Sequence, residues 1–150
     1  MILGTRHTGL VVRDIEKSLR FYGETLGLRL IQRTVETGPC IENVLGLPGV
    51  KIEWAKLEAD DGSVLELLQY HSHPDKGIDE NYPSNRHGCS HISFNVDNLD
   101  SLYAILTEKG IHCNCEPQIS TDGKVKLIYC HDPDGIILEM VENLEEKNSR

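Results

Sequence analysis

The feature that most constrains this chain is that it can be laid on itself. With a shift of 84, HTGLVVRDIEKSLRFYGETLGLRL falls on HISFNVDNLDSLYAILTEKGIHC, which sets His7 on His91, Val12 on Val96, Asp14 on Asn98 and Leu19 on Tyr103. With a shift of 73, DGSVLELL falls on DGIILEMV, which sets Gly62 on Gly135 and Glu66 on Glu139. Two copies of one unit explain both shifts, and internal self-similarity of this kind overrides purely local readings of structure. The difference of 11 between the shifts places a longer connection inside the first copy, in TGPCIENVLGLPG (37–49).

Each copy opens with an alternating strand. Thr8, Leu10 and Val12 lie on one side and His7, Gly9 and Val11 on the other; Ile92, Phe94 and Val96 oppose His91, Ser93 and Asn95. A helix follows, since Asp14 and Asn98 are suitable N-caps and Ile15, Leu19, Tyr22 and Leu26, like Leu99, Leu102, Tyr103 and Leu106, recur at helical spacing. Gly27 and Gly110 supply the left-handed stop. Three strand-like segments come next in each copy: 28–36, 50–59 and 63–71 in the first, 111–116, 125–131 and 136–142 in the second. The chain is therefore α+β, two tandem βαβββ modules over 5–71 and 88–142, joined by a Gly-, Pro- and Asn-rich linker at 72–87 and followed by a polar tail at 143–150. If each small sheet covers one face with its helix, the free faces form a cup, with the helices outside.

Two carboxylates sit oddly in this plan. Glu66 in GSVLELLQ and Glu139 in GIILEMVE interrupt apolar strands, and an ionised group taken out of water without a partner costs several kcal/mol. His7 and His91 lie on the less apolar sides of their strands, so two imidazoles and two carboxylates can face one cup. Two His and two Glu suit a divalent first-row metal, Zn, Ni, Co or Mn, which would neutralise both acids and leave room for substrate oxygens. One histidine or one glutamate alone would more often be an ordinary polar residue; it is the matching of His with His and Glu with Glu that singles these four out. His71, His73, His87, His112 and His131 have no such match. Glu53 is a weaker candidate for a second acid or base in the cup, and His73 for a substrate contact at its mouth.

Composition excludes several classes. The net charge of −9, from 24 acidic and 15 basic residues, argues against nucleic acid as a partner. No apolar run approaches the roughly 20 residues that span a bilayer, and the start carries no signal-peptide pattern, so a cytoplasmic location without membrane contact is expected. The five cysteines are odd in number and lack C-x-x-C spacing, as expected of reduced thiols. Cys113 and Cys115 alternate on the expected 111–116 strand, pointing the same way; small hydrophobes is the plain reading, a soft-metal site the other.

The pattern of His7 with GLVVRDIEKSLRFYGETLGL, GSVLELLQY, GCSHISFNVDNLDSL and DPDGIILEMVE resembles the vicinal oxygen chelate superfamily, over nearly all of residues 5–142. The resemblance implies the glyoxalase/bleomycin resistance/dioxygenase fold, with the family's metal-ligand positions falling on His7, Glu66, His91 and Glu139. Bacterial glyoxalase I enzymes use this His, Glu, His, Glu set. Methylmalonyl-CoA epimerases are similar but usually carry Gln at the place of Glu66, and extradiol dioxygenases and fosfomycin resistance enzymes use two His and one Glu. The strand ELLQY departs from the ELTYN-like strand of glyoxalase I, and CSHIS from its YGHIA-like one. The implied activity is that of a divalent-metal-dependent lyase or isomerase of the glyoxalase I type, which removes a proton next to a carbonyl through a metal-stabilised enediolate. Glu139 and then Glu66 are the candidate bases. The alternatives are a methylmalonyl-CoA epimerase-like enzyme, a metal-dependent dioxygenase or antibiotic-resistance enzyme, and a drug-sequestering protein. The implied substrate is a small molecule with vicinal oxygens, such as a thiol conjugate or CoA thioester. The implied assembly is a homodimer whose site forms within one chain or between two.

Overall fold

A computed structural model of the chain describes residues 2–75, 83–85, 87–89 and 91–145, which exclude much of the expected linker and tail. The chain divides into two compact units, Met1–Gly77 and Ile78–Arg150. Among the described residues, no helix is long and apolar enough to cross a membrane.

The first unit contains β1 (Thr8–Val11), α1 (Ile15–Leu19) continuing into a π-helical stretch (Arg20–Thr25), β2 (Arg29–Glu36), α2 (Pro39–Leu45), β3 (Ile52–Glu58) and β4 (Val64–Tyr70). Its sheet has the order β1-β4-β3-β2, with β1 parallel to β4 and the other pairs antiparallel. Asp14 caps α1, its Oδ1 accepting from the Lys17 amide at 3.1 Å. The helical segment ends at Leu26 and Gly27, the latter with φ +83°. The longer connection of this copy is occupied by α2, which has Pro39 at its start and the left-handed Gly46 at its end.

Register decides what each face of this sheet does. Leu65 and Leu67 of β4 share a face with Ala55 and Leu57 of β3 and with Thr8 and Leu10 of β1. Leu65, Leu67, Ala55 and Leu57 are buried, as are Ile15, Phe21 and Tyr22 of the helical segment that covers them. Alternation then places Glu66 and Leu68, with Lys56, Trp54 and Gly9, on the opposite face.

The second unit contains β5 (Ile92–Asn95), α3 (Leu99–Glu108), β6 (Gln118–Ile119), β7 (Val125–His131) and β8 (Ile137–Asn143), with the sheet order β5-β8-β7-β6. Asn98 caps α3, accepting from the Ser101 amide at 3.0 Å, and Gly110 follows the helix with φ +69°. Leu138 and Met140 of β8 lie on the face that also carries Ile128 and Cys130 of β7; all four are buried, with Leu99 and Leu106 of α3. Glu139 alternates to the other face, beside Tyr129 of β7 and Ser93 of β5.

One expected strand differs. Residues 111–116 do not form a strand; they contribute a single bridge, Cys113 to Cys130, and the edge strand is the two-residue β6 further along. The turn-forming run after Cys113 and the proline at 117 shorten the pairing, because proline has no amide to donate to a ladder. Cys115 accordingly does not share the setting of Cys113: it is exposed, whereas Cys113 is half-buried.

Both units tie the start of the helix to the last strand with a polar side chain. The Ile15 amide donates to Gln69 Oε1 at 2.8 Å, and the Leu99 amide donates to Glu142 Oε2 at 2.7 Å. The two acceptors are 73 positions apart and the two donors 84, so each tie falls on its counterpart under the shifts found in the sequence. Each satisfies one of the orphan amides of a helix N-terminus.

Candidate functional site

In the first unit His7 precedes β1 and Glu66 is the third residue of β4, and the parallel register Gly9↔Glu66 draws the two side chains onto one face. His7 Nε2 lies 3.1 Å from Glu66 Oε2. Gly9 is the register partner of Glu66, and a Cβ there would come within 3.2 Å of Leu68 Cδ1 and 4.0 Å of Glu66 Oε2, so the face is closely filled. On the other side of Glu66 stands its cross-strand partner Lys56, with Nζ 3.6 Å from Glu66 Oε1 and 4.6 Å from the centre of the Trp54 ring. Glu66 is thus flanked by an imidazole and an ammonium, partly covered, with a side-chain exposure of 13%.

In the second unit the equivalent pair is looser. His91 Nε2 is 3.6 Å from Glu139 Oε2. The cross-strand partner of Glu139 is Tyr129, not a lysine. Its ring lies 5.1 Å from the His91 ring, and its hydroxyl is 3.4 Å from His91 Nδ1. Burial, and then the negative charge of Glu139, raise the Tyr129 pKa, which keeps the phenol neutral.

Each unit therefore brings its expected His and Glu together as a two-membered pair. Among the described residues, no group of three or more His, Cys, Asp or Glu side chains is gathered as a metal centre would gather them. The donor chemistry of each pair fits a divalent ion of borderline softness, one imidazole nitrogen beside one carboxylate oxygen on a rigid strand. Lys56 is the element that opposes a cation at Glu66.

Glu53 is placed away from these pairs. It lies three residues from Lys56 on β3, hence on the opposite, helix-covered face, and is paired in register with Gln69. Arg33 Nε donates to Glu53 Oε1 at 2.7 Å, His71 Nε2 contacts Glu53 Oε2 at 2.8 Å, and Arg33 Nη2 also reaches Glu16 on α1 at 2.5 Å. Burial alone would raise the Glu53 pKa, but the bonds from His71 and Arg33 outweigh it and the net shift is downward. This is a clasp between β2, β3 and α1. His73 has φ +103° and its Nδ1 lies 2.9 Å from Ser72 Oγ.

Sequence reasoning missed Lys56 and Tyr129. Both are cross-strand neighbours of the singled-out glutamates, and only the register of β3 on β4 and β7 on β8 identifies them.

Comparisons with known proteins point to one family. The family model of the Glyoxalase/Bleomycin resistance protein/Dioxygenase superfamily matches residues 4–140. The lactoylglutathione lyase of Haemophilus influenzae is 30% identical over 95% of this chain and 94% of its own. That of Schizosaccharomyces pombe is 34% identical over 94% of this chain but only 48% of its own, so the chain spans about half the length of that relative. The crystal structure of a glyoxalase family protein from Bacillus cereus superposes with a TM-score of 0.88 at 26% identity, covering 96% of both chains. With a family match over residues 4–140 and a relative 30% identical over nearly the whole of both chains, the chain belongs to the glyoxalase/bleomycin resistance protein/dioxygenase superfamily.

Proposed function

We propose that the protein is a divalent-metal-dependent lyase or isomerase of the glyoxalase I type, acting on the adduct of a thiol with an α-oxoaldehyde. The observation that carries this reading is the recurrence of one His–Glu pair at equivalent places in both units, 3.1 Å apart in one and 3.6 Å in the other. Relatives named lactoylglutathione lyase at 26–34% identity support the reaction class. His7, Glu66, His91 and Glu139 are the proposed ligands, each unit giving half of the set, within one chain or across a homodimer. A bound divalent ion supplies Lewis-acid polarisation of a substrate carbonyl oxygen.

The chain's own groups divide the remaining work. Glu139 is the proposed base: its carboxylate takes the proton from the carbon next to the carbonyl and returns it to the neighbouring carbon. Among the described residues it is the less restrained of the two acids, since Glu66 meets both His7 and Lys56 whereas Glu139 meets His91 at a longer distance and has a neutral phenol beside it. For His91 to offer a bare Nε2 to a cation, its proton sits on Nδ1 and is donated to Tyr129 Oη, which orients the ring.

Elemental analysis of the purified protein and a hemithioacetal turnover assay test the reading together. We expect stoichiometric zinc, nickel, cobalt or manganese, activity lost to a chelator and restored by the ion, and no turnover in Glu139→Gln with metal still partly held. Full turnover in Glu139→Gln removes it as the base, and metal-free protein with undiminished activity overturns the reading.

A further inference from the structure

The hydrogen bonds around Cys113 and Cys130 define what these two thiols can do. The His131 amide donates to the His112 carbonyl at 2.9 Å, and the Asn114 amide donates to the Tyr129 carbonyl at 2.9 Å. These bonds flank the bridge Cys113↔Cys130 and leave the two cysteines without a bond to each other's backbone. They are therefore a non-hydrogen-bonded antiparallel pair, the kind whose Cα atoms approach to about 4.5 Å with side chains on the same side. That separation falls within the roughly 4.4–6.8 Å range a disulfide requires. No other pairing in the described ladders sets two cysteines opposite one another.

We propose that Cys113 and Cys130 are a site of reversible oxidative modification, closing to a cross-strand disulfide when the protein meets a small organic disulfide. Access is graded: Cys130 is fully buried and Cys113 half-buried, so the reagent meets Cys113. The Cys113 thiolate attacks one sulfur of the reagent, breaking its S–S bond, forming a mixed disulfide and releasing one small thiolate. The Cys130 sulfur then attacks Cys113 Sγ, giving the internal disulfide and releasing the second small thiol. The two protons lost by the cysteines leave on the two small thiols, and the two electrons reduce the reagent. The closed loop contains β6, so the bond fastens the edge of the second sheet to β7. Burial pushes the Cys113 thiol up and that of Cys130 up to about 12, so closure is slow at neutral pH and accelerates as pH rises.

The test uses the full chain as C40S/C89S/C115S, which keeps only this pair, incubated with glutathione disulfide at pH 7 and pH 9. Non-reducing peptide mapping is expected to show a linked peptide containing residues 113 and 130, lighter by two hydrogens, formed faster at pH 9 and reversed by dithiothreitol. Adding Cys130→Ala, which preserves a small apolar side chain, is expected to arrest the reaction as a glutathione adduct on Cys113. The proposal is overturned if both thiols stay free at pH 9 or if the adduct on Cys113 never resolves while Cys130 is present. It is also overturned if Cys130→Ala acquires no adduct.

Discussion

Replacing Glu142 should separate what a buried hydrogen-bond acceptor contributes from what its charge contributes. The side chain is 4% exposed and its Oε2 accepts from the Leu99 amide at 2.7 Å, at the N-terminus of α3. A bond to an ionised acceptor contributes about 1.5–3 kcal/mol, including the penalty of leaving the partner unsatisfied. A carboxylate at a helix N-terminus adds roughly 0.3–1 kcal/mol. Glu142→Ala is therefore expected to cost about 3 kcal/mol, a fall in Tm of roughly 6–12 °C for a chain of this size. Glu142→Gln keeps an amide oxygen in the same place, as Gln69 does naturally for Ile15 in the other unit, and should cost about 1 kcal/mol or less. The assay is thermal unfolding followed by circular dichroism at neutral pH, with Gln69→Ala as the counterpart. A Glu142→Ala protein melting within about 2 °C of wild type, or a Glu142→Gln protein as destabilised as Glu142→Ala, refutes the reasoning.

Three further outcomes are expected. Lys56→Met removes the ammonium 3.6 Å from Glu66 Oε1 and should tighten divalent-cation binding about tenfold, read by calorimetry on metal-free protein; weaker binding would show that Lys56 does not oppose the cation. Tyr129→Phe keeps the ring packing but loses the 3.4 Å contact to His91 Nδ1; we expect metal affinity to fall about 10- to 100-fold with Tm nearly unchanged, and unchanged affinity would dismiss the orienting role. Glu53 has a folded pKa below its ordinary 4.5, so the unfolded chain binds more protons between the two values, and this stabilisation is present above about pH 4.5 and lost as pH falls through the folded value. Acid should thus lower the Tm of wild type more steeply than that of Glu53→Gln; parallel curves would contradict the assigned shift.

What the sequence made legible follows from where its information is local or repeated. The helix caps Asp14 and Asn98 and the turn glycines are local choices, and the structure uses them as such. The His7–Glu66 and His91–Glu139 pairs are separated by many residues, yet the two shifts exposed them because each half repeats the other. What stayed hidden needed register or packing. Lys56 and Tyr129 are unremarkable until their strands are aligned on β4 and β8. Gln69 and Glu142 are polar residues near a strand end that the shift of 73 sets on one another, but nothing local in the sequence says that they accept from a helix amide. Glu53 shares its strand with Lys56, but parity sends it to the helix-covered face, where Arg33 and His71 engage it. The expected strand at 111–116 had the right composition and lost to its flanking turn and proline.

The helical segment after β1 has a further consequence. Ile15 answers to Leu99, 84 positions on, whereas the terminating Gly27 answers to Gly110, 83 positions on, so the first copy carries one residue more between start and stop. That surplus is lodged in Arg20–Thr25, whose wider turns absorb extra chain. The stretch works as an expansion joint: length can change there while the strands on either side stay where they are.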